Sequence, residues 1–179
     1  MIVALHGSGE RAKDYIKNWL QEAEKHNYLV LVPNSFNKWG WQVDDVERIL
    51  ARTRHFQKEY GINRTLLSGA SAGGQFALYV GINHYQDFNG IATFMGTLIG
   101  GPSSWIDFQD DPAHRLPIYM VHGEKDEMIP TIYGQLSSKY IKARGYDVFF
   151  VEEKDMGHEH YIPENKKILE WFKKTTEKP

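Results

Sequence analysis

The chain has 179 residues, 41% of them hydrophobic and 25% charged, with a formal net charge of −2 at pH 7 and no cysteine. This is the make-up of one soluble globular domain with a sizeable core, so residues 1–179 are expected to fold as a single domain. The lack of a basic cluster argues against nucleic acid or an anionic membrane as partner, and the absence of cysteine excludes disulfides, a thiol nucleophile and thiolate metal sites.

Met1–Leu5 carries no basic region followed by a long apolar run, and no segment has the length of a membrane span. A cytoplasmic location is therefore expected. In chain order, the runs Ile2–Leu5, Tyr28–Val32, Thr65–Leu67, Gly90–Met95, Ile118–Val121 and Asp147–Val151 are short, apolar and rich in Val, Ile, Phe and Tyr, as buried parallel strands are. Helical patterns lie between them. Tyr15, Ile16, Trp19, Leu20 and Ala23 form the first; Val46, Ile49, Leu50, Thr53 and Phe56 form the next, with Asp44 as capping candidate and Gly61 as stop. Gly74–Val80 continues from a serine turn into a helix. Pro130 precedes a helix with Ile132, Leu136, Tyr140 and Ala143 on its apolar face, and Pro163 opens a last one with Ile168, Leu169 and Phe172. Six strands and about five helices in alternation predict a three-layer α/β sandwich with a mostly parallel sheet, whose ligands bind at the carboxyl ends of the strands.

The loops at those ends carry the chemistry. Gly69-Ala70-Ser71-Ala72-Gly73 places a serine between a strand and a helix. A turn this sharp strains the serine backbone and needs glycine on both sides, and the helix behind it points free N–H groups at the site. The loop His6-Gly7-Ser8-Gly9-Glu10 offers the Ser8 N–H as partner to that of Ala72 in an oxyanion hole, with His6 as an anchor of the loop. Trp39 and Trp41, after the second strand, are candidates for lining a substrate pocket, as are Met95 and Trp105 around the irregular stretch Gly96 to Asp107. Asp126 lies in a turn after a strand, where a carboxylate can orient an imidazole, with Glu124 and Glu127 as acidic competitors. Two histidines, His158 and His160, follow the last strand and are both candidates for the base. The pair has no third ligand placed nearby in the sequence, so no metal site is expected.

Ser, Asp and His thus occur in the order of an α/β-hydrolase. The blocks Leu5-His6-Gly7-Ser8-Gly9, Ser68–Gly74, His122–Pro130 and Met156-Gly157-His158 resemble the α/β-hydrolase superfamily, most closely its small phospholipase/carboxylesterase and dienelactone-hydrolase-like esterases. The resemblance implies Ser71 as nucleophile, Asp126 as acid and His158, after Met-Gly, as base, with the Ser8 and Ala72 N–H groups as oxyanion hole and no cofactor. It also implies two strands before the one that ends in His-Gly. The sequence begins within that strand, so a sheet lacking the usual first two strands is expected, with an exposed edge open to pairing with another copy. The expected activity is that of a serine hydrolase acting on small-molecule carboxylic esters through an acyl-enzyme. The alternatives are a thioesterase or peptidase with the same triad, and a non-catalytic binding domain of the same fold.

Overall fold

A computed structural model describes residues 1–98 and 105–176. Among them six strands form one all-parallel sheet: β1 (Ile2–Leu5), β2 (Val30–Leu31), β3 (Leu66–Ala70), β4 (Gly90–Phe94), β5 (Ile118–Gly123) and β6 (Val148–Glu153). Their spatial order is β2-β1-β3-β4-β5-β6. The chain moves from β1 out to the edge at β2, then returns past β1 to β3 and continues one way. The connections after β1 and β3 therefore diverge, and this switch opens a crevice at their carboxyl ends.

The helices are α1 (Ala12–Tyr15), α2 (Lys17–Lys25), α3 (Asp44–Tyr60), α4 (Ala72–Asn83), α5 (Thr131–Ala143) and α6 (Glu164–Thr176). Alternate strand residues serve opposite layers. Val3, Leu5, Leu67, Ile91, Ile118 and Met120 pack with Val46, Ile49 and Leu50 of α3, Phe76 and Val80 of α4 and Ile141 of α5. Ile2, Ala4, Leu66, Ala92, Phe94 and Val121 pack with Tyr15, Trp19 and Ala23 from α1 and α2 and with Ile168, Leu169 and Phe172 of α6. The result is the predicted three-layer sandwich. β2, paired on one side only, is shorter than the run Tyr28–Val32.

Three local readings change. The first amphipathic run is divided at Ile16, which is the C-cap of α1 and the N-cap of α2. At the start of α3 it is Asp45 that satisfies backbone donors, accepting from Phe36 N at 2.9 Å and Gln42 N at 2.9 Å, while Asp44 makes no cap; Gly61 closes the helix in the left-handed conformation as expected. In α5 the apolar face expected inward is turned out. Ile132, Leu136 and Tyr140 are exposed, and Gly134, Ser137, Ser138 and Ile141 face the sheet. Small residues win here because the helix approaches β5 closely: a Cβ on Gly134 would overlap the His122 ring. The Ser137 hydroxyl also accepts the Leu98 N–H at 2.9 Å.

Candidate active site

Ser71 caps the N-terminus of α4 with φ 53° and ψ −121°, a left-handed backbone that a non-glycine residue adopts only where its surroundings enforce it. They do so through contact. A Cβ on Gly69 would overlap the Gly73 carbonyl, and one on Gly73 the Leu5 carbonyl, so strand β3, helix α4 and the end of β1 meet with no room for side chains. The Ser71 N–H donates to Phe94 O at 2.8 Å, and the Ser71 carbonyl accepts from Gln75 N at 2.9 Å. The hydroxyl is thereby fixed at the top of the sheet, at the positive end of α4.

The loop after β6 brings His158 to it. His158 Nε2 stands 2.9 Å from Ser71 Oγ, and Nδ1 stands 2.9 Å from Asp126 Oδ2 and 3.0 Å from Oδ1. Asp126 is buried at 5% exposure, and its Oδ1 also accepts the Met128 and Ile129 N–H groups at 3.0 and 2.8 Å. A carboxylate so placed accepts from the imidazole and fixes its proton on Nδ1, which leaves Nε2 free to accept from the serine hydroxyl. Glu124 and Glu127 are both exposed, and the polar partners of this histidine are Asp126 and Ser71.

His160 has a different environment. Its ring lies against Phe94 with centroids 3.9 Å apart and meets Trp19 edge-on at 5.3 Å. Asn165 donates through Nδ2 to Asn18 O, so its Oδ1 accepts the His160 Nε2–H at 2.8 Å, and the Tyr15 hydroxyl donates to His160 Nδ1 at 3.0 Å. Burial lowers the His160 pKa to about 4, which keeps this imidazole neutral.

The loop after β1 is braced from outside. Ser8 Oγ donates to Trp39 O at 2.6 Å, Gly9 N to Lys38 O at 2.7 Å, Trp41 Nε1 to His6 O at 2.9 Å, and Ser35 N to His6 Nε2 at 3.4 Å. Gly7 N donates to the Glu10 carboxylate at 2.6 Å. Among the described residues neither the Ser8 N–H nor the Ala72 N–H is used in a backbone hydrogen bond. Ser8 lines the cleft around Ser71, and Ala72 follows Ser71 as the first residue of α4.

That cleft has a volume of about 510 Å³. Met95 lines it, itself buried and at φ 50°, together with Met128, Ile162, Glu10, Tyr15 and Glu159. The tryptophans do not. Trp39 is exposed beside Gly9, Trp41 stacks on Phe76 with centroids 5.8 Å apart, and Trp105 is 62% exposed. Residues 99–104 of the irregular stretch lie outside the described residues. Sequence reasoning passed over Met128, Ile162 and Tyr15 as lining residues. The spacing of Tyr15 marked it as core, which its burial also makes it, whereas Met128, 72% exposed and two residues after Asp126, carried a signal in its position. Among the described residues no cluster of three or more His, Cys, Asp or Glu side chains is placed to hold a metal ion, and no helix is long and apolar enough to cross a membrane.

Comparisons with known proteins identify relatives of the chain. Acyl-protein thioesterase 1 of Gibberella zeae is 25% identical over 215 aligned residues, covering 96% of this chain and 88% of that protein. Two solved structures share the fold. Esterase PE8 superposes with a TM-score of 0.75 at 19% identity, covering 97% of this chain and 91% of its own, and Arabidopsis thaliana SOBER1 with a TM-score of 0.74 at 21% identity, covering 98% of each. The model of the phospholipase/carboxylesterase family matches residues 45–176, from the start of α3 through the serine turn, Asp126 and His158 to the end of α6, and the chain belongs to that family of α/β-hydrolases.

Proposed function

We propose that this hydrolase cleaves small-molecule carboxylic esters with Ser71 as nucleophile, His158 as general base and acid, and Asp126 as the group that orients and stabilises the imidazole. The observation that carries the reading is the continuous contact from Ser71 Oγ through His158 to Asp126, each step at 2.9 Å. As the serine oxygen attacks the acyl carbon, its proton passes to His158 Nε2, and the imidazolium so formed is stabilised by the buried carboxylate. The carbonyl oxygen becomes an oxyanion facing the N–H groups of Ser8 and Ala72 at the positive end of α4. His158 then gives its proton to the leaving alcohol, and the same residues activate a water to release the acid from the acyl-enzyme. No step calls for a cofactor, and residues 1–179 supply every group as one domain.

A second reading, a thioesterase, is favoured by the likeness to an acyl-protein thioesterase, since the same groups act on a thioester carbonyl. Steady-state hydrolysis of p-nitrophenyl esters of graded chain length, matched thioesters and anilides distinguishes the two. The proposal expects ester cleavage that Ser71→Ala abolishes. Thioester cleavage far above ester cleavage would favour the second reading, and equal residual rates in Ser71→Ala would sink both.

A further inference from the structure

A second histidine stands behind the carboxylate. His122, the penultimate residue of β5, is 1% exposed, and its Nε2 lies 2.7 Å from Ile129 O and 3.4 Å from Asp126 Oδ2. A carbonyl only accepts, so the bond to Ile129 places the ring proton on Nε2. The same ring nitrogen lies beside the carboxylate oxygen that His158 Nδ1 contacts at 2.9 Å. Asp126 Oδ2 therefore lies between two imidazoles, while Oδ1 accepts from the Met128 and Ile129 N–H groups. The ring cannot retreat, because α5 passes at Gly134 with no room for a side chain against His122 Nδ1. The turn itself is fastened at its base, where the Thr131 hydroxyl donates to Gly123 O.

We infer that His122 is a positioning residue for this site: its Nε2–H, shared between Ile129 O and Asp126 Oδ2, keeps the carboxylate turned toward His158. The inference rests on the roles proposed above for Ser71, His158 and Asp126. Two consequences follow from the chemistry. Without the N–H, Asp126 has one fewer group fixing its rotation, so the orientation needed in the transition state is populated less often. Its Oδ2 also carries more charge density toward His158, which favours the protonated imidazole. The other charged groups facing this pair are Glu10 and Glu159 across the cleft, and the exposed Lys125 and Glu127 in the turn of Asp126, with Lys125 paired to Asp155 at 2.7 Å. None of them is altered by a change at position 122.

The test compares His122→Leu, which removes the donor, with His122→Gln, whose side-chain amide reaches toward the same acceptors. In His122→Leu, kcat should fall about tenfold with KM changed less than about twofold, and the acid limb of the kcat/KM profile should move up by a few tenths of a pH unit. His122→Gln should recover most of both. An acid limb unmoved in His122→Leu, or equal damage in the two variants, overturns the inference, since a purely structural role would lower activity without moving the limb. A measurement on the unaltered protein needs no variant to fold: ¹⁵N-histidine NMR should find His122 protonated on Nε2, and protonation on Nδ1 overturns the inference whatever the activity. Failure of Ser71 to react with an active-site serine probe would instead remove the serine-hydrolase reading and leave the His122 tautomer as a separate result.

Discussion

His158 and His160 lie two residues apart in the loop after β6, and their surroundings divide their chemistry. His158 has Nε2 against a hydroxyl and Nδ1 against a buried carboxylate, the arrangement a base requires. His160 has both nitrogens committed, to Tyr15 and Asn165, and serves packing. Replacing His158 with Ala should therefore lower kcat by about four orders of magnitude or more, while His160→Ala leaves far more activity; the reverse ranking in steady-state assays would reassign the base. His160 also makes a pH prediction. Its folded-state pKa of about 4 lies below the ordinary 6.5, so the unfolded chain binds more protons between these values. The stability that neutral His160 contributes is complete above about pH 6.5 and is lost as pH falls toward 4, by an amount on the order of 3 kcal/mol. Thermal melts from pH 7 to 4 should show a smaller acid-side fall in Tm for His160→Gln than for the wild type, and parallel curves would contradict this. At this scale the sequence was most legible where a motif fixes a backbone. Ser71 between two glycines and Asp126 after a strand stand in contact with His158 as the motifs implied, whereas the lining of the cleft depends on side-chain directions that a linear pattern does not carry. Bulk and loop position single out Trp39, Trp41 and Trp105, and none of them lines the cleft.

Among the elements, α5 shows what periodicity conveys and what it omits. Ile132, Leu136 and Tyr140 recur every four residues, a pattern that predicts a buried face, yet the helix buries the face with Gly134, Ser137, Ser138 and Ile141. A hydrophobic period reports that a helix forms; which face it buries is decided by how closely the sheet lets it approach, and β5 with His122 at its end favours small residues. The cost of truncation should follow the observed face. Ile141→Ala, at a fully buried position, should destabilise by about 2 to 5 kcal/mol, and Leu136→Ala, half exposed, by about 0.5 kcal/mol or less. Denaturant unfolding of the two variants checks this, and equal losses would mean that the expected face packs after all. The start of α3 makes the same point on a smaller scale: two adjacent aspartates open the helix, and it is Asp45, not Asp44, that accepts from the Phe36 and Gln42 N–H groups on the backbone leading in.

At the scale of the whole molecule, alternating strands and helices made a parallel sheet legible, because each crossover must run antiparallel outside the sheet. The spatial order was not. Nothing local in β2 says that it pairs with β1 at an edge while β3 pairs on the other side, yet this reversal creates the crevice that Ser71, His158 and the loop after β1 share. Tyr15 and His160, 145 positions apart in the chain, and Ser71 and His158, 87 apart, meet there because the parallel sheet brings the carboxyl ends of its strands to one edge. The central claim is that this meeting activates Ser71. Intact-protein mass spectrometry after treatment with a fluorophosphonate tests it most directly: the account predicts one adduct on the wild type and none on Ser71→Ala. A folded wild type that stays unlabelled, or an adduct that persists in Ser71→Ala, would contradict it.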